Sequence, residues 1–234
     1  KLNAKAILAN VVADKKFDEA YSYDGDLGAI YSKEATTFKV WAPTASGVDL
    51  VIFGDDGQAK IKMEKEYRGV YSYTLAGDQD KTVYMYDIHF KDGSVNRVVD
   101  PYAKSTTING EKAVVVNPQV SMVERPANKY VKNPIIYELH VRDLSNQSYS
   151  GIKNRGKFLG LTEEGTQTPN GFKTGLDYIA DLGVSHIQLL PIYDYSKNSV
   201  NEKNPMEKYN WGYDPVNYDT PEGAYSTDPT NPYA

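Results

Sequence analysis

Hydrophobic and polar residues change places at every second position through much of the first half of the chain. Phe38 and Val40 alternate with Lys39 and Trp41, and Val48, Leu50 and Ile52 with Asp49 and Val51. Tyr71, Tyr73 and Leu75 keep the same rhythm, as do Tyr84, Tyr86, Ile88 and Phe90. A period of two puts alternate side chains on one face of a sheet. Gly54-Asp55-Asp56-Gly57, Ala76-Gly77-Asp78 and Lys91-Asp92-Gly93 supply turns between these runs. Short strands at this spacing predict an antiparallel β-sandwich of about one hundred residues, placed at residues 23–120.

The pattern then changes. A strand-poor stretch runs from Asn117-Pro118 to Asn133-Pro134 and reads as a linker over 121–133. Ile135 to Val141 is a candidate buried strand, followed by a Gly-rich polar loop. From Thr174 to Leu182, Leu176, Ile179 and Leu182 recur at helical spacing, and Gly183 stops the helix. Val184 to Pro191 is a second short apolar strand. Strand, helix and strand in this order form a βαβ unit, which requires parallel pairing. Residues 134–234 therefore read as α/β, and as an incomplete domain: a (β/α)₈ barrel takes ~250 residues, and a doubly wound sheet needs more strands. The expectation is a piece of a larger protein. Residues 1–22 are a segment of uncertain structure, in which Ile7, Leu8, Val11 and Val12 suit a short helix or the tail of an upstream module. The start lacks Met and a signal-cleavage pattern, so it reads as a trimmed terminus and leaves the compartment unknown.

Composition narrows the chemistry. A net charge of -5 argues against nucleic acid, which needs concentrated Lys and Arg. No apolar run approaches the ~18 residues of a membrane span. Without Cys there are no disulfides or thiolate sites, and three scattered His leave little room for zinc. No metal site is expected; calcium is compatible with the composition, but no motif asks for it. The chain has 20 Tyr, whose flat faces and hydroxyl tips suit sheet surfaces and sugars alike.

FKVWAPTAS (38–46), VDPYA (99–103), IIYELHVRDLS (135–145), GVSHIQLLPIYDY (183–195) and YNWGYDPVNYDTPEGAYSTDP (209–229) occur in this order. Together they resemble the type I pullulanases, starch-debranching enzymes of glycoside hydrolase family 13 in the α-amylase superfamily. YNWGYDP is the most specific motif. The resemblance implies a multidomain fold: an immunoglobulin-like sandwich of the family-48 carbohydrate-binding type, followed by the first part of a (β/α)₈ TIM barrel. It implies hydrolysis of α-1,6-glucosidic linkages in pullulan, amylopectin and glycogen, with retention and by two carboxylates. Those carboxylates belong to later strands, so no residue of this chain is assigned a catalytic role. The implied partners are an α-glucan and the remainder of the barrel, in the same gene product or as a second chain, and no cofactor is required.

The resemblance sets Tyr213 against the face of a glucose and gives Asp214 that sugar's hydroxyls, with Trp211 and Asn210 mainly shaping the loop. Gly212 would let the backbone turn between two aromatics. A non-catalytic α-glucan-binding protein, and another family-13 debranching or branching enzyme, stand as alternatives. Elsewhere the plain structural readings carry more weight. Glu138, Asp143 and Asp194 read as strand-end hydrogen bonds or loop salt bridges. Trp41 reads as core or interdomain, and His140 and His186 as satisfied core histidines. Asp100-Pro101-Tyr102 reads as a rigid strand exit, and the Tyr71/Tyr73 and Tyr84/Tyr86 pairs as cross-strand packing.

Overall fold

The computed structural model describes residues 9–119, 124, 127 and 131–234. Most of the expected linker, and Ile7 and Leu8, lie outside the described residues. The chain divides into two compact units, Lys1–Tyr102 and Ala103–Ala234. Residues 103–119, expected with the sandwich, group with the second unit.

The first unit opens with two short helices, α1 (Ala9–Val12) and α2 (Lys15–Tyr21), the latter capped by Asp14, which accepts from Lys16 N at 2.8 Å. Eight strands follow: β1 (Gly28–Tyr31), β2 (Ala35–Trp41), β3 (Gly47–Gly54), β4 (Gly57–Lys62), β5 (Glu64–Lys65), β6 (Val70–Ala76), β7 (Val83–His89) and β8 (Val95–Val98). They form antiparallel sheets in the orders β1-β2-β6-β5 and β4-β3-β7-β8. Phe38, Val40, Val48, Leu50, Tyr71, Tyr84, Tyr86 and Ile88 are buried, as alternation predicts, and Val70, next to Tyr71, is buried as well. Val51 departs from that rhythm: expected on the outer face, it is fully buried, because β3 lies between two neighbours and pairs there with Lys60 and Met85.

Two tyrosine hydroxyls end inside this core, and Asp100 receives both, from Tyr84 at 2.7 Å and Tyr86 at 3.3 Å. Its other oxygen accepts from Tyr102 N at 2.9 Å, the side-chain turn expected of an Asp-Pro exit. Trp41 is 41% exposed rather than core. Its indole N–H donates to the carbonyls of Tyr21 and Arg68, and Phe17 meets it edge-on at 6.5 Å, so it fastens α2 to the end of β2.

The second unit contains β9 (Ala113–Val114), β10 (Ile136–Leu139), α3 (Val141–Ser145), α4 (Gly175–Asp181), β11 (His186–Leu189), β12 (Tyr193–Tyr195) and β13 (Pro215–Pro221). β10 and β11 pair in parallel from Ile136↔His186 to Leu139↔Leu189, with α4 between them in sequence. This is the expected βαβ connectivity. Its burial is not as expected: Ile136 is 60% exposed and Ile187 45%, and only Leu139 of β10 is buried. Parallel strands are buried when both faces are covered, and among the described residues these two pair only with each other. His186 is likewise exposed, its Nδ1 against Ser185 Oγ, and is not a core histidine. The strand expected to reach Val141 stops at Leu139, because His140 turns out of it and caps α3 by accepting from Arg142 N at Nδ1.

The packed centre of this unit is Val141, Tyr195, Val200, Ala224 and Tyr225, with Phe158, Leu161, Leu189 and Ile192 against it. Residues 103–117 are laced to the later loops. Thr220 Oγ1 donates to Ala103 O at 2.8 Å, Glu202 N to Asn109 Oδ1 at 3.0 Å, and Asn117 N to the Tyr233 hydroxyl.

Candidate functional site

The loop after β11 returns to the end of that strand at Gly212. There φ is +88°, and a Cβ would collide with the Pro191 carbonyl oxygen, so both the left-handed backbone and the close approach require glycine. Asn210 builds the turn. Its Oδ1 accepts from Gly212 N at 2.8 Å, and its Nδ2 donates to Asp214 Oδ1 at 2.8 Å. Ser199 Oγ donates to Asp214 Oδ2 at 2.6 Å. Asp214 is thus exposed to solvent while both its oxygens are held. Trp211 and Tyr213, on either side of the glycine, are 63% and 66% exposed. Of the four residues singled out in this loop, Asn210 and Asp214 bond to one another, while the two rings stand free toward solvent.

The loop is anchored from α3 and its cap. His140, buried, has Nε2 2.9 Å from Asn210 O and 3.0 Å from the Tyr225 hydroxyl, while Nδ1 accepts from Arg142 N. This network assigns the ring proton to Nε2. Arg142 donates to the carbonyls of Pro205, Lys208 and Met206, and its guanidinium lies 5.6 Å over the Tyr209 ring. The Tyr209 hydroxyl donates to Asp143 Oδ2 at 2.7 Å. Glu138 accepts from Gln188 Nε2 at 3.0 Å. Arg142 and Tyr225 are not visible as site residues in the sequence, because an Arg in a strand-to-helix turn and a Tyr well past a loop carry no periodic signal.

Asp194, expected in a strand-end hydrogen bond or a loop salt bridge, makes the hydrogen bond, to Asn217, and no salt bridge among the described residues. It is buried with Glu202 and Glu222, and one oxygen from each of the three lies within 4.8 Å of the others. Asn217 Nδ2 donates to Asp194 Oδ2. Glu222 accepts from Tyr195 N at 3.0 Å and Ala224 N at 2.7 Å. Burial pushes all three carboxyls up: Asp194 to about 6 against the Asn217 hydrogen bond, Glu202 to about 7, and Glu222 to about 8 against its two backbone N–H groups. The same burial lowers Lys157, whose charge faces Glu202 and Glu222 and whose Nζ donates to Ala224 O at 2.8 Å.

Comparison with known proteins fits both units. Residues 26–103 match carbohydrate-binding module 48, the isoamylase N-terminal domain, so the first unit is a sandwich of that class. The chain as a whole is homologous to the type I pullulanases. It is 39% identical to the pullulanase of Bacillus subtilis over 225 residues, 95% of this chain and 31% of that protein. The pullulanase of Anoxybacillus sp. LM18-11 complexed with maltotriose superposes with a TM-score of 0.89 at 44% identity, over 94% of this chain and 32% of that one. That of Paenibacillus barengoltzii, in complex with maltohexaose and alpha-cyclodextrin, gives 0.88 at 49% identity, over 95% and 36%. The chain spans about a third of the length of these relatives. No helix among the described residues is long and apolar enough to cross a membrane.

Proposed function

We propose that this chain is the family-48 sandwich and the opening strands of the catalytic (β/α)₈ barrel of a starch-debranching enzyme. That enzyme cleaves α-1,6-glucosidic linkages in pullulan and branched α-glucans by a retaining mechanism, with its two catalytic carboxylates on strands beyond this chain. The sandwich begins near residue 23 and the barrel segment near residue 134. β10, α4 and β11 are then the first strand, first helix and second strand of the barrel, and the 209–214 loop leaves the carboxyl end of β11, the end at which such barrels bind substrate.

The observation that carries the reading is the pairing of exposed rings with a fixed carboxylate in that loop. A sugar ring presents C–H groups on its faces and hydroxyls on its rim. Tyr213 covers the first, and Asp214 accepts from the second. Asn210 and Ser199 hold both Asp214 oxygens, so the carboxylate is oriented before substrate arrives and its charge favours the oxocarbenium-like transition state. Trp211 extends the apolar surface. The solved relatives with bound maltooligosaccharides support an α-glucan as the ligand.

The test is the product of the complete gene that contains this chain. It releases maltotriose units from pullulan, and Tyr213→Ala lowers kcat/KM by ~30-fold, the equivalent of about 2 kcal/mol of lost ring contact. A complete product that leaves pullulan intact, or a Tyr213→Ala variant with unchanged kinetics, overturns the proposal. Retention of the chain in amylopectin gels without pullulan hydrolysis by the complete product would establish the binding-protein alternative.

A further inference from the structure

Between β12 and β13 the chain runs through residues 196–214 without a helix or strand. A loop of that length has no ladder or helical repeat to fix it, so its shape depends on side chains that reach in from outside. Here they come from α3 and its cap. We propose that Arg142 is a positioning residue, which sets the 205–210 segment so that Tyr213 and Asp214 meet the sugar. The inference rests on the reading of the 209–214 loop as sugar-facing. It assigns Arg142 no contact with substrate or reacting atoms.

The hydrogen bonds divide the loop in two. Arg142 Nη1 donates to Pro205 O at 3.2 Å and Lys208 O at 2.5 Å, and Nη2 to Met206 O at 3.4 Å. Asp143, the next residue of α3, accepts from the Tyr209 hydroxyl, and the Arg142 guanidinium lies over that ring. His140 Nε2 meets Asn210 O. Residues 205, 206, 208, 209 and 210 are therefore all held by the side chains at 140, 142 and 143. The hold ends at Asn210. Trp211 and Tyr213 come next, both exposed, with Gly212 turning the backbone between them against Pro191. A displacement of the held segment passes straight to the free one, because the Asn210 amide fixes Gly212 N and Asp214 Oδ1.

Two features separate Arg142 from an arginine kept for packing. Its Nε–H is buried and has no acceptor among the described residues. A buried donor without a partner costs stability, so this side chain forgoes a bond of its own while both terminal nitrogens are aimed at the loop. The other feature is the shape of the target. Three carbonyls on one short stretch call for a planar fork with several donors in fixed directions. Lysine carries a point charge on a flexible stem and reproduces neither the fork nor its flat stacking on Tyr209. Arg142→Lys is therefore a change of geometry at constant charge.

The test pairs kinetics of the complete gene product with a spectroscopic readout in this chain. On pullulan, Arg142→Lys lowers kcat/KM at least ~10-fold. In a Tyr213→Ala background the same substitution costs less than ~3-fold, because the contact it positions is already gone. Equal losses in the two backgrounds, or no loss in either, overturn the proposal. Trp41 and Trp211 are the two tryptophans of the chain, so Trp41→Phe leaves one reporter, inside the loop. Adding Arg142→Lys lowers the fluorescence anisotropy of Trp211 while far-UV circular dichroism stays the same. Unchanged anisotropy overturns the proposal. Tyr209→Phe deletes only the hydroxyl held by Asp143, loosens the ring on which the guanidinium lies, and gives a smaller fall. Where Arg142→Lys does not fold, Tyr209→Phe decides, and anisotropy equal to the parent's again overturns the proposal. A complete product inactive on pullulan defeats the debranching reading alone, and the anisotropy of Trp211 still decides the positioning.

Discussion

Asp100 shows how one side chain can serve several neighbours. Its carboxylate receives two hydroxyls from the sandwich core and one backbone N–H from the turn that leaves it. Burial is the main reason both phenols are held well above their ordinary range, and the adjacent Asp100 charge adds to it. Asp100→Ala would leave two buried hydroxyls without their acceptor, so a loss of about 2–4 kcal/mol is expected from urea unfolding. Asp100→Asn keeps an acceptor and should lose less. The Asp-Pro turn was readable from two adjacent letters. Its service to Tyr84 and Tyr86 was not, because those hydroxyls lie 16 and 14 residues away in sequence and meet it only after the strands pair.

At the scale of elements, three strands of one sheet are pinned by a single carboxylate. Asp87 on β7 takes Arg97 of β8 at 2.7 Å and Lys60 of β4 at 2.6 Å, and Arg97 also donates to Gln58 of β4 at 2.8 Å. The Arg97 hydrogen bond, with Lys60 adding to it against the cost of burial, holds Asp87 down at about 2. A lowered carboxyl stabilises above its unfolded range and loses that stabilisation as pH falls through the folded value. Asp87→Asn should therefore cost about 2 kcal/mol at pH 7, and the difference should shrink toward zero by about pH 2. Urea titrations of both forms across that range measure it.

Alternating residues made these strands legible, since each strand's pattern needs only its own letters. Val51 broke the rhythm because its burial depends on which strands flank it. β10 and β11 were legible as strands for the same local reason. Their exposure was not, because what covers a parallel pair lies elsewhere in a chain.

Across the second unit as a whole, three carboxyls gather where the chain buries them. The folded state keeps protons on Asp194, Glu202 and Glu222 at pH values where an unfolded chain has released them. Stability should then fall as pH rises from about 4 to about 8. Thermal unfolding at each pH across that range tests the sign. The spacing of positions 194, 202 and 222 matches no helix or strand period, so this cluster could be found only in three dimensions. The aromatic loop could be named from its letters, but not the grip that Arg142 and His140 keep on it.

That grip matters for anyone wishing to swap this loop among the chain's relatives. Asn210 is tied to a histidine 70 residues upstream, and Lys208 to an arginine 66 residues upstream. A transplanted 205–214 segment would arrive without its mould. The heritable unit is the discontinuous set of that segment with His140, Arg142 and Tyr225, and a successful chimera should carry all of it across together.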